Sequence, residues 1–206
     1  VDAKKFVMHQ MWSGELEVDS IITFIPFLRL QAQLSLGYYG DSLVVNGATT
    51  NAATGNINLD DADPADTKHY LAFDGLRHVG LVDVPSNQKD LAGSITFKAL
   101  KDVQGRMMDA TRKVDWGHPN DPNDLVHLAD PQTVDAIALL DEVITVDKMG
   151  NQATVLTGQQ ARVGTHPLIS SMAVSKTEAD GKVSTTSTNN TKGQVVSFNR
   201  RGFKVG

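Results

Sequence analysis

The sequence predicts an α+β protein with one long rod-like helix, further helices, and short strands gathered in a second lobe. Three observations carry that prediction. From Phe27 to about Val45 the chain is rich in Leu, Ala, Gln and Tyr, and Leu28, Ala32, Ser35, Tyr39 and Leu43 recur on one helical face. Short apolar or β-branched runs, among them Leu125 to Ala129, Ala153 to Thr157, Pro167 to Met172 and Gln194 to Asn199, read as strands. Between the two halves lies the turn cluster Gly117-His118-Pro119-Asn120-Asp121-Pro122-Asn123-Asp124, the best lobe boundary in the chain.

The remaining elements follow in order. Residues 5 to 11 read as a strand, and Ser13 as the N-cap of a helix with Glu15 and Glu17 in its first turns. Pro26 breaks that helix or opens the rod-like one, which at about 1.5 Å per residue is about 30 Å long. Gly37 and Gly40 weaken it, so close packing against that side is expected. Asn46-Gly47 ends the rod, and residues 48 to 60 read as a loop. Asp63-Pro64 predicts a helix start, with the helix running to about Val79 and turning Ala72, Leu76 and Val79 inward. A polar loop leads to the most regular helix, residues 97 to 114, where Leu100, Val103, Met107, Ala110 and Val114 share a face. Asp130-Pro131 caps a helix that buries Val134, Ile137 and Ala138. Asp180-Gly181 marks a hairpin turn, residues 184 to 192 read as a Ser/Thr/Asn linker, and Phe203 to Val205 as a last strand.

Composition bounds the function. The 206 residues suffice for a core without staples. With 19 basic and 24 acidic residues the net charge is −5, which argues against nucleic-acid binding by bulk charge. The chain has no cysteine, which excludes disulfides, thiolate nucleophiles and cysteine metal sites. Its longest apolar stretch, Ile21 to Leu28, is far short of the roughly 20 residues of a membrane span. No signal peptide opens the chain. A start at Val1 without Met reads as a start inside a longer protein, although Met removal gives the same sequence.

Little chemistry emerges. Phosphate loops, nucleophile elbows and paired-histidine zinc motifs are missing. The six histidines lack helical ligand spacing, so neither metal nor cofactor is expected. The acidic cluster Asp60, Asp61, Asp63 and Asp66 lacks the glycine and glutamate of a calcium loop and reads as a solvated loop with a helix cap. His127 with Asp130 is half of an acid/base pair. Three residues apart across a strand end, the two are expected to face different ways, and a hydrolase using them is the distant alternative. Charge is also asymmetric. After Asp180 come Lys182, Lys192, Arg200, Arg201 and Lys204 with no acid, while Glu15, Glu17 and Asp19 lie near the start. That pattern suits complementarity between copies of the chain and makes Glu15, Glu17, Arg200, Arg201 and Lys204 candidate subunit-interface residues.

The order of several stretches is more telling. Glu15-Leu16-Glu17-Val18-Asp19-Ser20 is followed by Ile25-Pro26-Phe27-Leu28, then Val44-Val45-Asn46-Gly47, then Ala72-Phe73-Asp74-Gly75-Leu76-Arg77. Leu140 to Lys148, Ala153 to Gly158 and Gly164 to Ser171 come next, and Phe198-Asn199-Arg200-Arg201-Gly202-Phe203-Lys204-Val205-Gly206 closes the chain. In this order and spacing the sequence resembles the major capsid proteins of tailed bacteriophages, those with the Hong Kong 97-like fold. The resemblance covers residues 5 to 206. Relative to the family, the N-terminal arm, most of the extended loop and the final strand are absent.

The resemblance implies a peripheral domain over residues 1 to 115 with a spine helix at about 26 to 46, an axial domain over 116 to 191 of mixed α/β structure, and return strands of the peripheral domain over 192 to 206. It implies a structural, non-enzymatic subunit of an icosahedral phage or prophage capsid. Such a subunit self-assembles into hexamers and pentamers that enclose DNA without reading its sequence, with scaffold, portal or decoration proteins as further partners. Its place would be the virion, assembled in the bacterial cytoplasm, away from membranes. An encapsulin-type compartment shell is the alternative.

Overall fold

The computed structural model describes residues 7–9, 11, 24–52, 54–58, 62–93, 95–106, 124–140, 161–163 and 166–201. It is a mixed α+β structure. The rod-like helix, α1, spans Phe24–Asn46, 23 residues and about 34 Å. Pro26 falls in its first turn, where a missing N–H costs no intrahelical bond. Leu28, Ala32 and Ser35 are half-buried and Leu43 buried, so the expected face turns inward, with Tyr39 more exposed. The expected close packing against Gly37 and Gly40 is not found: a Cβ at either would meet nothing within 4 Å. Only the C-terminal end of α1 is enclosed. Ser42, Leu43, Val45, Asn46, Gly47 and Ala48 are buried.

The helix expected from Asp63-Pro64 to Val79 does not form as one piece. There is a 3-10 turn at His69–Leu71, a single α turn, α2, at Leu76–His78, and a π turn at Val79–Asp83. Val79 is exposed rather than inward. The physical reason lies at Gly75. Its N–H donates to the Gly47 carbonyl (2.9 Å), and a Cβ there would lie 2.7 Å from Gly47 N and Val44 O. An extended backbone at Gly75, where the chain crosses the end of α1, interrupts any continuous helix. Asp66, meanwhile, accepts from Asn51 (2.7 Å).

The regular helix, α3, is described over Phe97–Arg106; residues 107 to 114 lie outside the described residues. The strands are β1 (Leu125–Ala129), β2 (Ala161–Val163), β3 (His166–Ser170) and β4 (Val195–Asn199). Their order in the sheet is β2-β3-β1-β4. β1 runs parallel to β3 and antiparallel to β4, and β2 runs antiparallel to β3. The helix α4 (Pro131–Ala138) follows β1 and is capped as expected by Asp130, whose Oδ1 accepts from Thr133 N (3.1 Å). β2 was not anticipated. The strand expected at 5 to 11 is absent at residues 7–9 and 11, where Val7 and Met11 are exposed. The strands expected at 153–157 and 203–205, and the helix entry at Ser13, lie outside the described residues. Asp180-Gly181 does form a tight turn. Gly181 takes φ +84°, Glu178 N donates to Lys182 O (2.8 Å), and Gly181 N donates to Glu178 O (3.2 Å). Residues 184 to 192 are folded rather than a free linker: Ser184 is buried and Asn190 bonds both its N–H and its carbonyl.

Strand alternation puts a core on each side of the sheet. On one side Leu100 of α3 and Val134 and Ile137 of α4 meet Ala129, Val163 and Leu168. On the other, Val45 from the end of α1 meets Ala173 and Val174, with Leu128 against them. These contacts run across the boundary expected near 116. β4, expected in the peripheral domain, pairs over all five residues with β1 of the axial segment.

Replacing Gly75 by Ala should destabilise the protein by about 2 kcal/mol in urea denaturation, because the displaced atoms are backbone and cannot swing away. The same change at Gly40 should stabilise by up to about 1 kcal/mol, through helix propensity alone. Equal effects at both positions would contradict the close-contact reading.

Candidate functional site

The best-defined polar constellation joins the end of α1 to α2 and to the turn at Gly181. Arg77, on α2, is buried, and its guanidinium donates to Asn46 Oδ1 (2.6 Å) and to the Gly181 carbonyl (2.7 Å). Asn46, the last residue of α1, donates through Nδ2 to the Ala173 carbonyl (2.6 Å). Three segments distant in sequence thus meet on one charged group. Burial lowers the Arg77 pKa to about 10, so the group stays protonated at neutral pH. Its acceptors are neutral oxygens, and the negative end of the α1 dipole lies beside it. Asp74 adds a further tie, accepting from Thr49 N (2.8 Å) and Thr49 Oγ1 (3.0 Å). The constellation holds segments together and offers no open reacting atom.

Two motifs therefore interlock. Asn46-Gly47 and Asp74-Gly75-Leu76-Arg77 touch backbone to backbone and side chain to side chain. The sequence displayed both motifs, but nothing in their spacing shows that one closes on the other.

The rest of α1 presents a different surface. Phe27, Leu30, Leu34 and Tyr38 are about half exposed, as are Ile25 and Leu36. The helix is apolar around most of its circumference but enclosed at one end only.

The residues singled out for acid/base chemistry are separated by their bonding. Asp130 spends its carboxylate on the α4 N-terminus, accepting from Thr133 N and from the Thr133 hydroxyl. His127 is fully buried, with Nδ1 2.7 Å from Ser197 Oγ across the β1–β4 pair. It lies edge-on to His166, also buried, with ring centroids 5.9 Å apart. Desolvation, then the proximity of His166 and of Lys101, lowers the His127 pKa to about 4. A buried ring, neutral at pH 7 and turned toward Ser197, has no partnership with Asp130. Sequence reading missed the His127–His166 pair. Its only signal was a histidine inside each of two apolar strands.

Of the candidate interface residues, Glu15, Glu17 and Lys204 lie outside the described residues. Arg200 and Arg201 sit in the turn after β4 with largely exposed side chains. Both face a buried carboxylate of their own chain: Asp124 Oδ1 lies 2.8 Å from Arg201 Nε and 3.8 Å from Arg200 Nε. The pairing of Leu125 with Asn199 brings that turn to Asp124. Among the described residues no group of three or more His, Asp or Glu is placed to hold a metal ion, and no helix is long and apolar enough to cross a membrane.

Against protein-family models, curated proteins and solved structures, the chain matches nothing.

The His127 geometry gives a pH dependence. The folded ring titrates at about 4 and the unfolded one at its ordinary 6.5. Between those values the unfolded chain binds the extra proton, so stability falls as pH drops from 6.5 to about 4, by about 3 kcal/mol in total. In urea denaturation at stepped pH, His127→Gln should flatten that slope. An unchanged slope would contradict the assignment.

Proposed function

We propose that this chain is a structural subunit of an icosahedral phage or prophage capsid, a tile whose copies associate into hexamers and pentamers around DNA. The observation that carries the proposal is α1. A helix apolar on most sides is ordinarily buried. Here one end is bolted into the fold while the side chains of Ile25, Phe27, Leu30, Leu34, Leu36 and Tyr38 stay exposed. An exposed apolar surface of that length calls for a protein partner. The resemblance of the motifs to tailed-phage capsid proteins supplies the kind of partner, further copies of the chain. Two of the motifs behind that resemblance, at 44–47 and 72–77, are the ones that interlock at the base of the rod. Contact between copies is heterologous and repeats until the shell closes, so each contact can be modest.

The net charge of −5 suits a container whose inner wall does not grip its cargo. Scaffold, portal and decoration proteins are the expected further partners, and the virion the expected location. No reaction is assigned to the chain.

Purified protein, with its native scaffold supplied, should elute from size-exclusion chromatography as hexamers, pentamers or larger shells and show rings or particles by negative-stain microscopy. A strictly monomeric protein under those conditions would contradict the proposal.

A further inference from the structure

We infer that one stripe of α1, formed by Phe27, Leu30, Leu34 and Tyr38, is a seam that pairs antiparallel with the same stripe of a second copy, about a two-fold axis near Leu34. The inference rests on the reading of the chain as a self-assembling subunit and names where two copies meet.

The spacing i, i+3, i+7, i+11 places these four side chains on one face of a helix. Their exposures are 50% for Phe27, 52% for Leu30, 60% for Leu34 and 55% for Tyr38. The half-buried Leu28, Ala32 and Ser35 lie on a different face, so the seam is not the surface on which the helix rests. Gly37 lies beside the seam, and a Cβ there would meet nothing within 4 Å. That notch gives the Leu30 side chain of a facing helix room to approach the backbone.

Area decides how strong the contact is. Four large side chains about half exposed offer roughly 400 Å². Flanking stems bring a helix-length footprint to on the order of 500 Å² per copy, or about 1,000 Å² in total, the lower bound for a biological interface. A contact of that size is weak alone and useful when repeated across a lattice.

Charge decides the direction. The four seam positions are uncharged, and the next position along the stripe is the exposed Asp41. Parallel pairing would set the two Asp41 carboxylates against each other in an apolar seam, which is unfavourable. Antiparallel pairing places them at opposite ends, about 21 Å apart along the axis. It sets Leu34 against its own copy and Leu30 against the partner's Tyr38.

The absence of cysteine makes the test direct, because a single introduced thiol is the chain's sole thiol. Leu34→Cys should form a disulfide-linked dimer on mild oxidation of the assembled protein. Phe27→Cys should not, since its two copies would lie about 21 Å apart along the axis, well beyond the roughly 7 Å Cα limit for a disulfide. A mixture of Leu30→Cys and Tyr38→Cys proteins should give the mixed dimer, and it serves as the readout if Leu34→Cys itself blocks assembly. Assembly without these cross-links overturns the seam but leaves the shell proposal standing. Equal cross-linking at Phe27 and Leu34 overturns the antiparallel direction. A thiol at position 34 that is shielded from maleimide in the dispersed chain overturns the seam as an open surface. Failure of the unsubstituted protein to assemble overturns both readings.

Discussion

A full positive charge is buried at the junction of three segments, and the two hydrogen bonds it makes tie those segments together. The Arg77 guanidinium has left water with no carboxylate in its bonding: Nη1 donates to Asn46 Oδ1 and Nη2 to the Gly181 carbonyl, while the buried Nε has no hydrogen-bond partner among the described residues. Removing a cation from water costs several kcal/mol, so the acceptors must be held in place. That demand fixes the last residue of α1, the position of α2 and the course of the turn at Gly181 together. The planar fork of arginine reaches two acceptors on separate segments at once, which the single ammonium of lysine matches poorly. Asn46 then passes the constraint on, because its amide is fixed at the other end by the Ala173 carbonyl beneath the sheet. The aliphatic contacts of Val45 with Ala173 and Val174 lie at the same junction.

This anchoring explains the uneven burial of α1. Its last turn is enclosed, while along the rest of the 34 Å rod one face is half-buried and Ile25, Phe27, Leu30, Leu34, Leu36 and Tyr38 stay uncovered. A rod held by a polar bolt at one end keeps its direction without needing its length to be packed. In the proposed shell, that is what a tile requires: a stiff edge whose orientation is set inside the subunit and whose surface is completed by a neighbour. The sheet performs the matching task on the other side of the junction. β1 and β4 pair along their full length, and α3 and α4 pack on the opposite face from α1.

Elements with a strong local signal were legible in the sequence. The period of α1, the Asp130-Pro131 cap of α4, the strand at 125–129 and the Asp180-Gly181 turn each follow from residues within a few positions of one another. The segment from Asp63 to Val79 misled for the opposite reason. Asp63-Pro64 is a sound helix start, but Gly75 is needed for a contact with Gly47, 28 positions earlier, and that contact outweighs local propensity. The candidate site divides in the same way. Asn46, Gly47 and Asp74 to Arg77 were visible as motifs, but their mutual contact is tertiary. Arg200 and Arg201 stand out in the sequence as charges, but that the register of β1 with β4 brings both to Asp124, with their side chains still largely exposed, is a tertiary fact. The apolar period of α1 was equally plain, but periodicity says which side chains share a face and not which face is left uncovered.

In the proposed shell, α1 is fixed at its C-terminal end within each subunit and covered along the remainder by other copies. Hydrogen–deuterium exchange of the dispersed and assembled protein tests it in one comparison. Slow exchange at residues 42 to 48 in both states, with protection of residues 27 to 40 rising on assembly, is the predicted result. Unchanged exchange across 27 to 40 in assembled particles, or rapid exchange at 42 to 48 in the dispersed chain, would contradict it.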